Sequence, residues 1–90
     1  MKPTSKQKSM AVFFDALAHP RRLMLFHILR DSGQNGMAIH QLLNRTKLTP
    51  ATLAFHLEKM QKGRVLKRNI KGSEVWVSVN HGAFAQLETL

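Results

Sequence analysis

Ninety residues allow a single domain around one small core. Fourteen Lys and Arg against five Asp and Glu give a formal net charge of +9, which favours a polyanionic partner, either nucleic acid or an anionic membrane surface. There is no cysteine, which excludes disulfides, thiolate catalysis, thiol redox sensing and cysteine-held zinc, and no apolar run approaches the roughly 20 residues that span a bilayer.

Residues 1–6 read as a loose basic lead-in without the apolar core of a signal peptide, so a cytoplasmic location is expected. Met10, Phe13, Phe14 and Leu17 then recur at i, i+3, i+4 and i+7 and predict a helix over 10–18, with Val12 and Ala16 on a second, smaller apolar face. "AHPRR" ends it, because the residue before Pro20 disfavours helical backbone, and Pro20 suits the first turn of a second helix running to about Asp31. That helix is apolar almost all round (Leu23, Met24, Leu25, Phe26, Ile28, Leu29), which predicts a place at the centre of the domain.

"DSGQNG" is a loop by composition. A short helix over about Ala38–Asn44 turns Ile39, Leu42 and Leu43 inward, and "RTKLT" makes a tight turn. Thr49 is then a good N-cap with Pro50 at the first helical position, and Gly63 is a natural stop. Two short helices joined in this way form a helix-turn-helix over 37–62. After Gly63 the period falls to two: "RVLKRNI" and "EVWVSV" flank "KGS", a β-hairpin over 64–79 with Gly72 in its turn and Val75, Val77 and Val79 on one face. Asn80 is placed to cap a final helix over 81–90, in which Ala83, Phe84, Leu87 and Leu90 repeat an apolar spacing. The fold class is mainly α with a small β-hairpin, a winged helix-turn-helix in the order α-α-α-α-β-β-α, filling residues 1–90 as one domain.

Six cations, Lys59, Lys62, Arg64, Lys67, Arg68 and Lys71, fall between residues 59 and 71 with no acid among them. A helix laid in a major groove, with a basic hairpin reaching the flanking backbone, would use them on phosphates, and affinity would fall steeply with salt. With Leu53 and Leu57 buried, the helix can offer Thr49, Pro50, Ala51, Thr52, Ala54, Phe55, His56 and Lys59 outward. Small residues at its start allow close approach to base edges; Thr52 can bond to a base, Ala51, Ala54 or Phe55 can touch a thymine methyl, and His56 can donate to a base or phosphate.

"LAHPRRLMLFHIL", "LTPATLAFHLEKMQKGRVLKR" and "GSEVWVSVN" resemble the ArsR-type (arsenic-repressor-like) winged-helix transcriptional repressors of prokaryotes over about 13–80. The resemblance places the motif's histidine at His56, and Trp76 where tyrosine is usual. It implies a homodimer built from the first and last helices, repressing transcription from an inverted-repeat operator in double-stranded DNA. It also sets Arg22 at the family's arginine position, to contact phosphate or to hold the start of the second helix. The residues give the dimer separate support. Two apolar faces on the first helix and a short apolar last helix are more than one domain can cover, so pairing through Met10, Val12, Phe13, Phe84, Leu87 and Leu90 is expected, with the two recognition helices ~34 Å apart.

The chain departs from metal-sensing relatives. "GMAIHQLL" carries only His40 where they have cysteines, and His81 and Glu88, seven residues apart, are a loose pair for a shared ion, as are His19 and His27. His27 and Asp31, at i and i+4, fit a surface contact. No metal, cofactor, membrane partner or enzymatic activity is expected, and no effector is indicated. Two rivals to the repressor remain open: a winged helix used as a protein-interaction module with Phe55 as anchor, and a nonspecific DNA-binding protein.

Overall fold

The computed structural model describes residues 1–85. Its elements are α1 (Ser5–Leu17), α2 (Pro20–Asp31), β1 (Met37–Ala38), α3 (Ile39–Thr46), α4 (Pro50–Lys62), β2 (Leu66–Lys71), β3 (Glu74–Val79) and α5 (His81–Ala85). The first helix starts inside the stretch expected to be loose. Thr4 Oγ1 accepts from the Gln7 N–H at 3.1 Å while Gln7 Oε1 accepts from the Thr4 N–H at 2.9 Å, a reciprocal cap that anchors the start despite the polar surroundings.

Met10, Phe13 and Ala16 of α1, Leu25 and Leu29 of α2, Leu42 of α3 and Leu53, Leu57 and Met60 of α4 meet in one core with Val65, Leu66, Val77 and Val79. The second helix is not central on all sides: it buries Leu25 and Leu29 completely but leaves Leu23 and Met24 on the surface. Its apolar circumference is therefore wider than the core needs. Phe84 of α5 lies edge-on to Phe13 (4.9 Å between centroids) and stacked on Phe26 (5.2 Å), so the last described helix closes the protomer's own core. Asn80 caps α5 only through its carbonyl, which accepts from the Ala83 N–H; its side chain instead donates to the Arg64 carbonyl at 3.1 Å.

The wing is a three-stranded antiparallel sheet in the order β1-β3-β2, not a bare hairpin. Met37 pairs with Val77 and Ala38 with Trp76, while β2 and β3 pair from Leu66–Val79 out to Lys71–Glu74 across the Gly72–Ser73 turn. The extra strand passes close to its neighbour: a Cβ on Gly36, whose φ is +70°, would lie 1.9 Å from the Val77 carbonyl oxygen. The close approach of α1 and α4 also needs a glycine. A Cβ on Gly63 would meet the Ala16 Cβ at 2.3 Å, so this residue serves proximity, while the left-handed backbone that ends α4 falls on Arg64, at φ +66°. The fold is a winged helix-turn-helix, and no helix among the described residues is long and apolar enough to cross a membrane.

Candidate nucleic-acid interface

The turn that sets α4 is made by local hydrogen bonds. Thr49 Oγ1 accepts from the Thr52 N–H at 3.2 Å and donates to Thr52 Oγ1 at 2.9 Å, so the Thr49 hydroxyl is fully engaged as a cap, while Thr52 keeps its own proton to give. Lys47 takes a left-handed conformation (φ 59°) to turn the chain between α3 and α4.

Beyond this cap Pro50, Ala51, Ala54 and Phe55 are exposed and Thr52 is half-buried. Thr52, Phe55, Lys59 and Lys62, spaced i, i+3, i+7 and i+10, form one outward row. Phe55 is 54% exposed, as its angle from Leu57 predicts, and Lys59 Nζ lies 5.7 Å from its ring centroid. The row therefore presents a cation supported on an aromatic face, flanked by small side chains that permit a close approach.

His56 does not join that row. It is 3% exposed, its ring lies 4.8 Å from His19, and its Nδ1 has no hydrogen-bond partner among the described residues. The reason lies in helical spacing: Leu53, His56, Leu57 and Met60 occupy i, i+3, i+4 and i+7, so geometry turns the imidazole inward whatever its polarity. Burial pushes its pKa below the usual 6.5, and the charges of His19, Arg22 and Arg21 push it further the same way. The folded state thus favours neutral His56. The stability this contributes is fully present above about pH 6.5 and is lost as pH falls through the lowered value. In thermal melts followed by circular dichroism, His56→Leu should hold or raise Tm at neutral pH, because it removes an unpaired buried polar atom. It should also flatten the decline seen on acidification; a wild-type pH profile in the variant would remove His56 as its source.

Arg22 serves the α1–α2 corner. Its Nη1 donates to the carbonyls of Asp15 at 3.3 Å and Ala16 at 3.5 Å, at the C-terminal end of α1. These contacts fit the second of its two expected roles, holding the start of α2. The six cations also separate. Lys62 Nζ pairs with Glu58 at 3.3 Å, and Arg64 sits at the α4–β2 turn beside Ser5, Lys6 and Ser9 of α1. Strand alternation places Lys67 and Lys71 on the outer face of the hairpin, with Lys71 Nζ 4.2 Å from the Trp76 ring, and puts Arg68 on the inner face opposite Val77. Lys59, Lys67 and Lys71 are therefore the outward cations of the helix and wing that have no carboxylate partner among the described residues.

The expected dimer residues divide in the same way. Met10 and Phe13 are 4% and 1% exposed and belong to the protomer's core, and Phe84 is half-buried against it; Val12 remains on the surface at 52%. Leu87 and Leu90 lie outside the described residues. Phe14, 46% exposed, is the large apolar side chain on α1 that the expectation passed over. Asp31 pairs with Arg30 at 3.4 Å rather than with His27, and His40 Nε2 pairs with the Glu74 carboxylate, tying the start of α3 to the wing. Among the described residues no cluster of three or more His, Asp or Glu could hold a metal ion.

No protein-family model matches the chain. The transcriptional repressor PagR of Bacillus anthracis is 35% identical to it over 71 residues, spanning 79% of this chain and 69% of PagR. A homodimeric winged helix-turn-helix DNA-binding domain from Mycobacterium bovis, described as a possible ArsR-family transcriptional regulator, superimposes with a TM-score of 0.75 at 21% identity, over 99% of this chain and 84% of that one. HlyU from Vibrio cholerae gives 0.71 at 18% identity, over 97% and 96% of the two chains. At those identities the two solved structures establish likeness of fold.

Proposed function

The chain belongs to the ArsR-type winged helix-turn-helix transcriptional regulators, and on that footing we propose that it is a homodimeric repressor binding an inverted-repeat operator in double-stranded DNA. The observation that carries this reading is the outward row of α4, with Thr52, Phe55 and Lys59 free of the core beside a wing that presents Lys67 and Lys71. The row suits a major groove. Thr52 donates to a base edge and the Phe55 ring covers a thymine methyl, while Lys59 and the outer wing cations meet phosphates. Repression and the dimer are carried over from PagR, named a repressor, and from the mycobacterial domain, named homodimeric.

Selection of bound duplexes from a random pool tests the core of this reading, because it reports affinity, half-site symmetry and spacing together. A palindromic consensus is the expected outcome; retention of unrelated sequences with equal affinity would leave only a nonspecific binder. Two substitutions then separate the roles of wing and helix. Lys67→Ala should weaken all duplexes alike and lower the slope of log K against log salt by about 0.9 for each phosphate that is no longer neutralised. Phe55→Ala should leave that slope intact and narrow the operator-to-random ratio about tenfold, within the ~1–3 kcal/mol of one base-pair position. An unchanged ratio would remove Phe55 from sequence readout.

The protomers pair, on this reading, through the apolar surface that α1 leaves open around Val12 and Phe14. Joint replacement of Val12 and Phe14 by aspartate should halve the mass measured by light scattering and keep the helical circular dichroism spectrum. A dimer that survives both changes would place the seam elsewhere.

A further inference from the structure

The hairpin alternates cleanly. Leu66, Arg68 and Ile70 share its inner face with Val79, Val77 and Val75, their partners in register. At the base this face is sealed, with Leu66 and Val79 buried in the core. Toward the turn the helices no longer cover it: Val75 is half-buried and Ile70 is 64% exposed. What remains is a groove of about 420 Å³ between α3, α4 and the strands, with Ile39, Leu43, Leu57 and Val75 on its walls. That volume lies in the range of small-molecule sites, roughly 300–1,000 Å³. At about 30 Å³ for a water-sized group it accommodates roughly a dozen heavy atoms.

Glu58 and Arg68 supply charge at this apolar groove. Glu58 is already paired with Lys62. The Arg68 side chain, by contrast, makes no ion pair or hydrogen bond among the described residues, so the groove's uncompensated charge is a guanidinium. A guanidinium at the edge of an apolar slot matches a carboxylate in two-pronged geometry, and it would repel an amine.

We propose that this groove binds a small amphipathic carboxylic acid, with its chain against Ile39, Leu43, Leu57 and Val75 and its carboxylate on Arg68, and that the bound acid weakens the grip on DNA. The second half rests on the DNA-binding reading above. The acid lies between the helix and the hairpin that together hold the duplex, and it neutralises a wing cation. The acid-bound form therefore carries one fewer uncompensated positive charge beside that surface than the free form does.

Decanoate, kept below its micelle-forming concentration, serves as probe, with decanol and decylamine as comparators of equal chain length. In amide ¹H–¹⁵N spectra decanoate should give saturable shifts confined to α3, the facing side of α4 and the two long strands. Decanol should bind at least about tenfold more weakly, as expected for loss of one charge-assisted pair. Arg68→Gln should bring decanoate down to the decanol level, and Leu43→Trp, which fills the groove, should abolish both. Scattered or unsaturable shifts, equal binding of decanoate and decanol, or an unaffected Arg68→Gln would overturn the site. Duplex affinity is measured first without acid. Failure there counts against the DNA-binding reading while the spectra still judge the site; a duplex that binds but keeps its Kd in saturating decanoate overturns the regulatory half.

Discussion

Phe13→Ala is expected to lower the free energy of unfolding by about 3–5 kcal/mol, a large share of what a domain of this size possesses. The ring is 1% exposed and joins three helices at one point: its neighbours are Phe14 on α1, at 5.6 Å, and Phe84 on α5, at 4.9 Å, which itself stacks on Phe26 of α2. Truncation leaves a hole bordered by aromatic rings, and rings cannot collapse into it as flexible aliphatic chains do. Urea unfolding measures the loss directly, with the slope m unchanged if only the folded state has suffered. Lys8→Ala, on the same helix but in solvent, should stay within about 0.5 kcal/mol. A loss below about 1 kcal/mol at Phe13 would mean that the ring does not occupy the core described. Changing Phe13 is accordingly a poor probe of dimerisation: an aspartate there would unfold the protomer before it could separate two of them.

Gly36→Ala should be nearly as damaging, for a different reason. The residue sits at φ +70°, which costs a side-chain-bearing residue about 1–2 kcal/mol, and its added methyl would lie 1.9 Å from the Val77 oxygen and 2.7 Å from Ser78 Cα. All of these obstructing atoms are backbone, so no rotamer can yield. Relief requires β1 to leave β3, which gives up the Met37–Val77 and Ala38–Trp76 pairing and brings the total to the order of 3 kcal/mol. Gly33 provides the internal control. It has a similar φ of +79° with nothing within 4 Å of an added Cβ, so Gly33→Ala should show the backbone strain alone. Equal melting temperatures for the two variants would mean that the β1–β3 approach is looser than described. Faster amide exchange at Met37 and Ala38 in Gly36→Ala, but not in Gly33→Ala, is the expected local signature.

What could be read from the residues beforehand was whatever local spacing controls. The i, i+3, i+4 pattern gave the helices, the Thr49–Pro50 cap gave the start of α4, and the change to period two after Gly63 gave the hairpin. Long-range partners were not readable in that way. Strand β1 has two residues, too few for any alternation, and it exists only because residues 76 and 77 lie alongside. Gly63 looked like a helix stop, yet its role is set by Ala16, forty-seven positions earlier. His56 and the start of α1 were legible but masked by polarity. Spacing alone turns His56 inward, and Thr4 with Gln7 is a cap written in sequence, ahead of a helix whose first turn carries no apolar residue. At the candidate site the outward position of Phe55 followed from its angle on the helix. The separation of Lys67 from Arg68 followed from strand alternation, once charge was no longer counted as a single run. The pairing of Lys62 with Glu58 depended on an acid one residue outside the cationic segment 59–71.

The bare contact between Gly63 and Ala16 leaves no slack between α1 and α4. In a dimer joined along α1, seam and reading head would then form one stiff strut in each protomer, unable to swivel independently. A base pair added between half-sites could not be absorbed by flexing inside the protein. The duplex, the softer of the two bodies, would have to twist or bend to restore the fit, so tolerance of altered spacing should track how easily the central steps deform.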